Sequence, residues 1–195
     1  FGGCESGDAI CDVLFGDKVP SGKLTATMPK SVGQIPLYYN HLNTGRPLKE
    51  GKWFSKFTSN YLDIDNDPLY PFGYGLSYTT FKYGKPTLSS STMTNNETIS
   101  VSVDITNTGN YDADEIAQMY IRDLAASVSR PVKELKGFER ISIKKGETKT
   151  VTFTITPEDL KFYNQELEYK NEPGEFEVMV GPNSKDVQTL TFTLK

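Results

Sequence analysis

With 195 residues, 36% of them hydrophobic and 24% charged, the chain has the length and apolar content for a real core and carries no tract that predicts disorder. A net charge of −4 without any Lys/Arg cluster speaks against nucleic acid as a partner. No apolar run approaches the roughly 20 residues needed to cross a bilayer, so no membrane span is expected.

The chain opens at Phe1-Gly2-Gly3, without a signal peptide or lipidation motif, and reads as the carboxyl-terminal piece of something longer. Glu5 to Phe15 carries Ala9, Ile10, Val13 and Leu14, the stripe of an amphipathic helix, and Gly16 follows where a left-handed cap belongs. Glu5 and Asp8 fall in the first turn, where the helix dipole favours negative charge. The Gly2-Gly3 pair lacks the rest of any nucleotide-binding fingerprint. Cys4 and Cys11 would lie two helical turns apart, about 10 Å, beyond the roughly 7 Å limit for a disulfide, and are expected as small buried thiols. Leu24, Ala26 and Met28 alternate with polar residues, which predicts a short strand.

Ser31 to Pro68 has no sustained period and is long for a loop, a length that usually means function or packing against something else. It holds the sole histidine, His41, and the sole tryptophan, Trp53. An exposed sugar subsite of Trp53, Arg46 and His41 competes here with plain interdomain packing, and packing is favoured. Asp63, Asp65 and Asp67 open like a calcium loop, but Pro68 stands where the turn needs glycine and Tyr74 where a bidentate glutamate belongs. A solvated turn is the expectation. Leu69 to Phe81 then packs aromatic rings around Pro71, Gly73 and Gly75, which cannot form a regular helix and reads as a shaped domain joint.

Beyond the joint the period becomes two. Strands are predicted near Phe81–Leu88, at Ile99–Ile105, Ala117–Ile121, near Glu134–Phe138, at Ile141–Ile143, Val151–Ile155, Phe176–Val180 and Leu190–Leu194, each bounded by turn residues. About seven short antiparallel strands describe a fibronectin- or immunoglobulin-type sandwich. Thr156 is placed to cap a helical turn at Pro157-Glu158-Asp159.

Chemistry is harder to find. There is no Gly-x-Ser-x-Gly elbow, and a lone loop histidine makes a triad improbable. Asp112, Asp114, Glu115, Glu166 and Glu168 are expected on wet faces, whereas a catalytic carboxyl pair needs one member raised by burial. Asn96-Glu97-Thr98 is a glycosylation sequon, meaningful only in a eukaryotic secretory setting. A sugar-binding sandwich should expose an aromatic strip, but Tyr120, Phe162, Tyr163 and Tyr169 are scattered along the sequence. The residues alone describe a non-catalytic module.

Five stretches carry a resemblance: Gly7–Asp17, Pro20–Leu24, Gln34–Pro47, the joint Leu69–Phe81, and Ser129–Glu139. Together and in this order they resemble the carboxyl-terminal part of glycoside hydrolase family 3 enzymes of the periplasmic β-glucosidase type. The resemblance implies a mainly β fold: residues 1–70 as the remnant of an α/β-sandwich domain with a wrapping loop, 71–81 as connector, and 82–195 as a fibronectin type III-like domain. It implies that the parent is a retaining exo-hydrolase of terminal β-glucosyl or related residues, working through two carboxylates about 5–5.5 Å apart. The family's nucleophile lies in a Ser-Asp-Trp type motif. Here Trp53 follows Lys52, and the acid/base glutamate is expected upstream of Phe1. No catalytic, substrate-binding or metal site is therefore assigned to any residue, no cofactor is implied, and this chain alone is expected to be inactive. The expected partners are the remaining catalytic domains, a β-linked oligosaccharide met through them, and room for a homodimer, in the periplasm or outside the cell. The alternative is a free-standing carbohydrate-binding or interaction sandwich. Cys4 and Cys11 depart from the small non-thiol residues usual in the family.

Overall fold

A computed structural model describes residues 2–48, 52 and 54–195. The first element is helix α1, Ser6–Phe15, closed by Gly16 in the left-handed region (φ 87°), whose N–H reaches the Val13 carbonyl. Eleven strands follow: β1 Phe81–Tyr83, β2 Thr87–Leu88, β3 Thr92–Met93, β4 Ile99–Asn107, β5 Ala113–Asp123, β6 Glu134–Ile143, β7 Thr148–Ile155, β8 Phe162–Tyr163, β9 Tyr169–Lys170, β10 Gly174–Gly181 and β11 Gln188–Leu194.

They form two facing sheets and a small hairpin. One sheet places β4 between β7 on one side and the short β1 and β2 on the other. The second runs β3-β11-β10-β5-β6, and β8 pairs with β9 alone. The neighbours are antiparallel except β3 with β11, which is parallel. The sandwich core comes from alternate residues of both sheets, among them Val101, Val103, Ile105, Met119, Val151, Phe153, Phe176, Val178 and Phe192. The two strands expected at Glu134–Phe138 and Ile141–Ile143 are one continuous strand, β6, with a bulge opposite Met119/Tyr120. A 3₁₀ turn at Pro157–Leu160 sits where expected: the Asp159 carboxylate accepts from both the Thr156 N–H (2.8 Å) and its hydroxyl (2.6 Å).

The strand expected around Leu24–Met28 is a fragmentary ladder instead. Its partner is the aromatic joint: Leu24 N–H donates to the Tyr74 carbonyl and Gly73 N–H to the Leu24 carbonyl, while Met28 N–H reaches the Tyr70 carbonyl, each at 2.8 Å. The α1 stripe does not bury anything. Ile10, Leu14 and Phe15 are 59%, 71% and 83% exposed, and both cysteines are exposed rather than buried. The sandwich is occupied with its own core, and no described element lies over this helix face. What ties α1 down is the Tyr78 hydroxyl, which donates to the Val13 carbonyl at 2.6 Å.

Candidate functional site

Strand β5 should alternate, and for its first half it does. From Ala117 to Ile121, however, every residue is buried. Its core face packs Ala117, Met119 and Ile121, and the opposite face carries Gln118 and Tyr120, equally enclosed. The cover is the segment between Pro20 and Gly75, laid across the outside of the five-stranded sheet.

The clamp that holds this cover is built from four side chains and one glycine. Phe72 stacks on Tyr39 with ring centroids 4.2 Å apart, and Tyr39 meets the Tyr120 ring edge-on at 5.8 Å. The Tyr120 hydroxyl donates to Gln118 Oε1, while Gln118 Nε2 donates to the carbonyls of Gly73 (3.1 Å) and Pro182 (2.7 Å). Burial, followed by the neighbouring Tyr39, pushes the Tyr120 hydroxyl above its ordinary range, so it stays protonated and donates. Gly73 has a φ of +78°, and a Cβ there would stand 2.0 Å from Gln118 Oε1. Gly75 is needed for a different reason than Gly73: it lies outside the left-handed region, but a Cβ would meet the Gly22 carbonyl oxygen at 2.4 Å. Further along, Phe72 O accepts from Ser184 N–H (2.9 Å), and Lys133 Nζ donates to Ser184 O (2.7 Å).

A second fastening is ionic. Lys23 Nζ reaches the Glu115 carboxylate at 3.2 Å with side chains only 14% and 5% exposed, and the Tyr83 hydroxyl donates to the same carboxylate at 2.8 Å. Burial, then the Glu115 charge, pushes the Tyr83 hydroxyl upward. Glu115 was expected on a wet face; Lys23, brought over by the cover, is what makes its burial tolerable. Within the cover, the fully buried Gln34 is the hub. Its Oε1 accepts from Lys30 N–H (2.7 Å), its Nε2 donates to the Asp65 and Asp67 carbonyls, and its own carbonyl accepts from the Tyr61 hydroxyl (3.0 Å).

Two of the three aspartates in the expected solvated turn, Asp65 and Asp67, are salt-linked. Lys30 holds Asp65 at 2.7 Å and its hydrogen bond draws that carboxyl below the usual range, while Asp67 pairs with Lys185 at 2.7 Å. Among the described residues no His/Cys/Asp/Glu group is placed to hold a metal ion. His41 and Arg46 are both exposed. The His41 carbonyl accepts from Val132 N–H (2.9 Å) and the Tyr39 hydroxyl from Leu135 N–H (3.3 Å), so this stretch packs against the loop entering β6. Trp53, the third residue of the weighed sugar subsite, lies outside the described residues. Of the carboxylates weighed for catalysis, Asp112 accepts from Lys145 N–H, Asp114 is held by Ser142 and Arg140, and Glu168 by Lys170 and Asn164. Burial pushes the Asp123 carboxyl up, but the nearby acids are already engaged: Glu172 with Ser127 and Glu134 with Arg130. The arrangement fastens, and among the described residues it does not set an acid beside a nucleophile.

The sequence pattern alone does not mark Gln118, Tyr120 and Gln34 as fastening residues. A signal existed for two of them: an aromatic and an amide out of phase with the apolar alternation of β5 mark a strand covered on both faces.

Comparison with known proteins fits this division of labour. Residues 1–78 match the family described as "Glycosyl hydrolase family 3 C-terminal domain", and residues 115–184 match "Fibronectin type III-like domain". The "Periplasmic beta-glucosidase" of Salmonella typhimurium is 56% identical over 100% of this chain, which spans 25% of that protein. A "Beta-xylosidase" of Formosa agariphila is 46% identical over 100% of the chain and 26% of its own length. The crystal structure of a β-glucosidase from Listeria innocua in complex with glucose superimposes with a TM-score of 0.93 at 45% identity, over 100% of this chain and 27% of that one. The chain thus spans about a quarter of the length of the relatives it matches.

Proposed function

Because this chain belongs to glycoside hydrolase family 3, as a carboxyl-terminal portion with a fibronectin type III-like domain, we propose that it braces the catalytic domains of a retaining β-glucosidase-type exo-hydrolase and does no chemistry itself. The observation that carries this reading is the clamp of Phe72, Tyr39, Tyr120 and Gln118, which rivets the segment matching the family 3 domain onto the outer face of the sandwich. Residues 1–70 act as the end of the neighbouring domain, 71–81 as the joint and 82–195 as the brace. The bare α1 face with Ile10, Leu14 and Phe15 is where the remaining catalytic domains seat. The name of the Salmonella relative supports a periplasmic location, and the exposed outer strand β6, with Phe138 in solvent, supplies a face for a homodimer.

The test is hydrolysis of 4-nitrophenyl β-D-glucopyranoside by residues 1–195 and by the whole protein that contains them. Turnover is expected only from the whole protein. Turnover by 1–195 that disappears when one of its own carboxylates is replaced would overturn the reading.

A further inference from the structure

The small hairpin β8–β9 turns two tyrosines into a platform. Tyr163 and Tyr169 are direct cross-strand partners with ring centroids 5.0 Å apart and planes tilted by 43°. Although six positions apart in sequence, they stand side by side, 65% and 49% exposed, while Phe162 on the opposite face is buried beneath the Arg130 guanidinium at 4.5 Å. The hairpin is held stiffly. The buried Asn164 accepts from Glu166 N–H (3.0 Å) and Glu168 N–H (2.9 Å) through Oδ1, and Gln165 Nε2 donates to the Ser127 carbonyl (3.3 Å). A polar pair stands beside the rings: Lys161 Nζ lies 5.8 Å from the Tyr169 centroid and pairs with Glu158 at 2.6 Å. Nothing in the clamp or the sandwich core requires these two rings to face water.

We propose that Tyr163 and Tyr169 form an auxiliary saccharide-stacking site, taking one or two pyranose units of a β-linked glycan. Aromatic faces are electron-rich, and the axial C–H bonds on one face of a β-glucopyranose are weakly positive, so the two stack. Lys161 and its partner Glu158 supply a donor and an acceptor for the hydroxyls at the ring rim. At about 200 Å² per tyrosine, the observed exposure leaves roughly 230 Å² of these two residues in solvent, room for one or two sugar rings. The proposal rests on the family 3 reading only for its choice of sugar.

The experiment is saturation-transfer NMR on residues 1–195 with cellotetraose, with ¹³C-labelled tyrosine rings observed in parallel. The expected result is transfer to the H1, H3 and H5 face of the sugar and shifts confined to the Tyr163 and Tyr169 rings. Both should be lost in Tyr163→Ser/Tyr169→Ser and kept in Tyr163→Phe/Tyr169→Phe, since stacking needs the ring and not the hydroxyl. Absence of transfer to wild type, undiminished transfer to the folded serine variant, or loss in the phenylalanine variant would each overturn it. If the serine variant does not fold, ring shifts in wild type decide, and shifts elsewhere overturn it. Binding is read without turnover, so failure here alongside an active whole protein sinks only this site. Failure of hydrolysis in the whole protein leaves this result standing.

Discussion

Replacing Gly73 by alanine tests the clamp with a single methyl group. The backbone there has a φ of +78°, which costs an L-residue roughly 1–2 kcal/mol. The new Cβ would lie 2.0 Å from Gln118 Oε1 and 2.8 Å from its Cδ and Nε2, so the amide must leave. Its departure unmakes the bonds to the Gly73 and Pro182 carbonyls and strips the buried Tyr120 hydroxyl of its acceptor. Leaving these three groups unsatisfied costs about 1–3 kcal/mol each, so with the backbone cost the whole change is roughly 4–11 kcal/mol. Against a total of about 5–15 kcal/mol that is severe, and at about 2–4 °C per kcal/mol for a chain of this size it lowers Tm by at least about 8 °C in a circular-dichroism melt. Gly146→Ala is the control. Its φ is +76° but nothing lies within 4 Å of the added Cβ, so it pays only the backbone cost of about 1–2 kcal/mol. Equal Tm losses for the two variants would refute the collision argument.

Val103 sits inside the sandwich at 2% exposure, and Val103→Asp should leave no cooperative transition, because a lone buried charge costs several kcal/mol; an unchanged Tm would put Val103 on a wet face. Lys23→Met strands the buried Glu115 carboxylate and should cost about 3–5 kcal/mol by urea denaturation. Adding Glu115→Leu and Tyr83→Phe should recover most of that loss, and no recovery would mean the ion pair is not the fastening. The Asp114 carboxyl is drawn below its ordinary value by the Ser142 hydrogen bond and then by Arg140. Its contribution is therefore complete above the unfolded carboxylate range, near 3.9, and fades as pH falls through the lower folded value. Asp114→Asn should therefore lower Tm at pH 7 and flatten its decline below about pH 4, so that the wild-type and variant curves converge at low pH; parallel curves would contradict the linkage. Residues 82–195 should melt cooperatively alone, since the core cluster lies within Met93–Leu194, whereas residues 1–70 should not.

The sandwich was legible because Ile99–Ile105 and Val151–Ile155 alternate cleanly and one face of each is wet. What escaped reading depended on contacts distant in sequence. Glu115 looks solvated until Lys23, 92 positions earlier, is laid against it. The stripe on α1 has helical spacing, and the helix forms, yet periodicity cannot say what would cover Ile10 and Leu14, and nothing described does. Cys4 and Cys11 fail as buried thiols for the same reason. Gly75 reads like Gly73 in sequence, but only the fold shows that one answers to backbone angle and the other to a neighbouring carbonyl. Tyr163 and Tyr169 become neighbours only through the β8–β9 register.

Amide hydrogen exchange on residues 1–195, wild type against Gly73→Ala, tests most directly whether the Pro20–Gly75 cover is riveted by the clamp. Leu24, Met28 and Gly73 donate the ladder bonds inside the cover, between its Leu24–Met28 stretch and its Tyr70–Tyr74 end, where the clamp grips. Peptides containing them should be protected in wild type and exchange much faster in the variant, while β4 and β7 stay protected in both. Unchanged protection of those three amides in the variant would contradict the account.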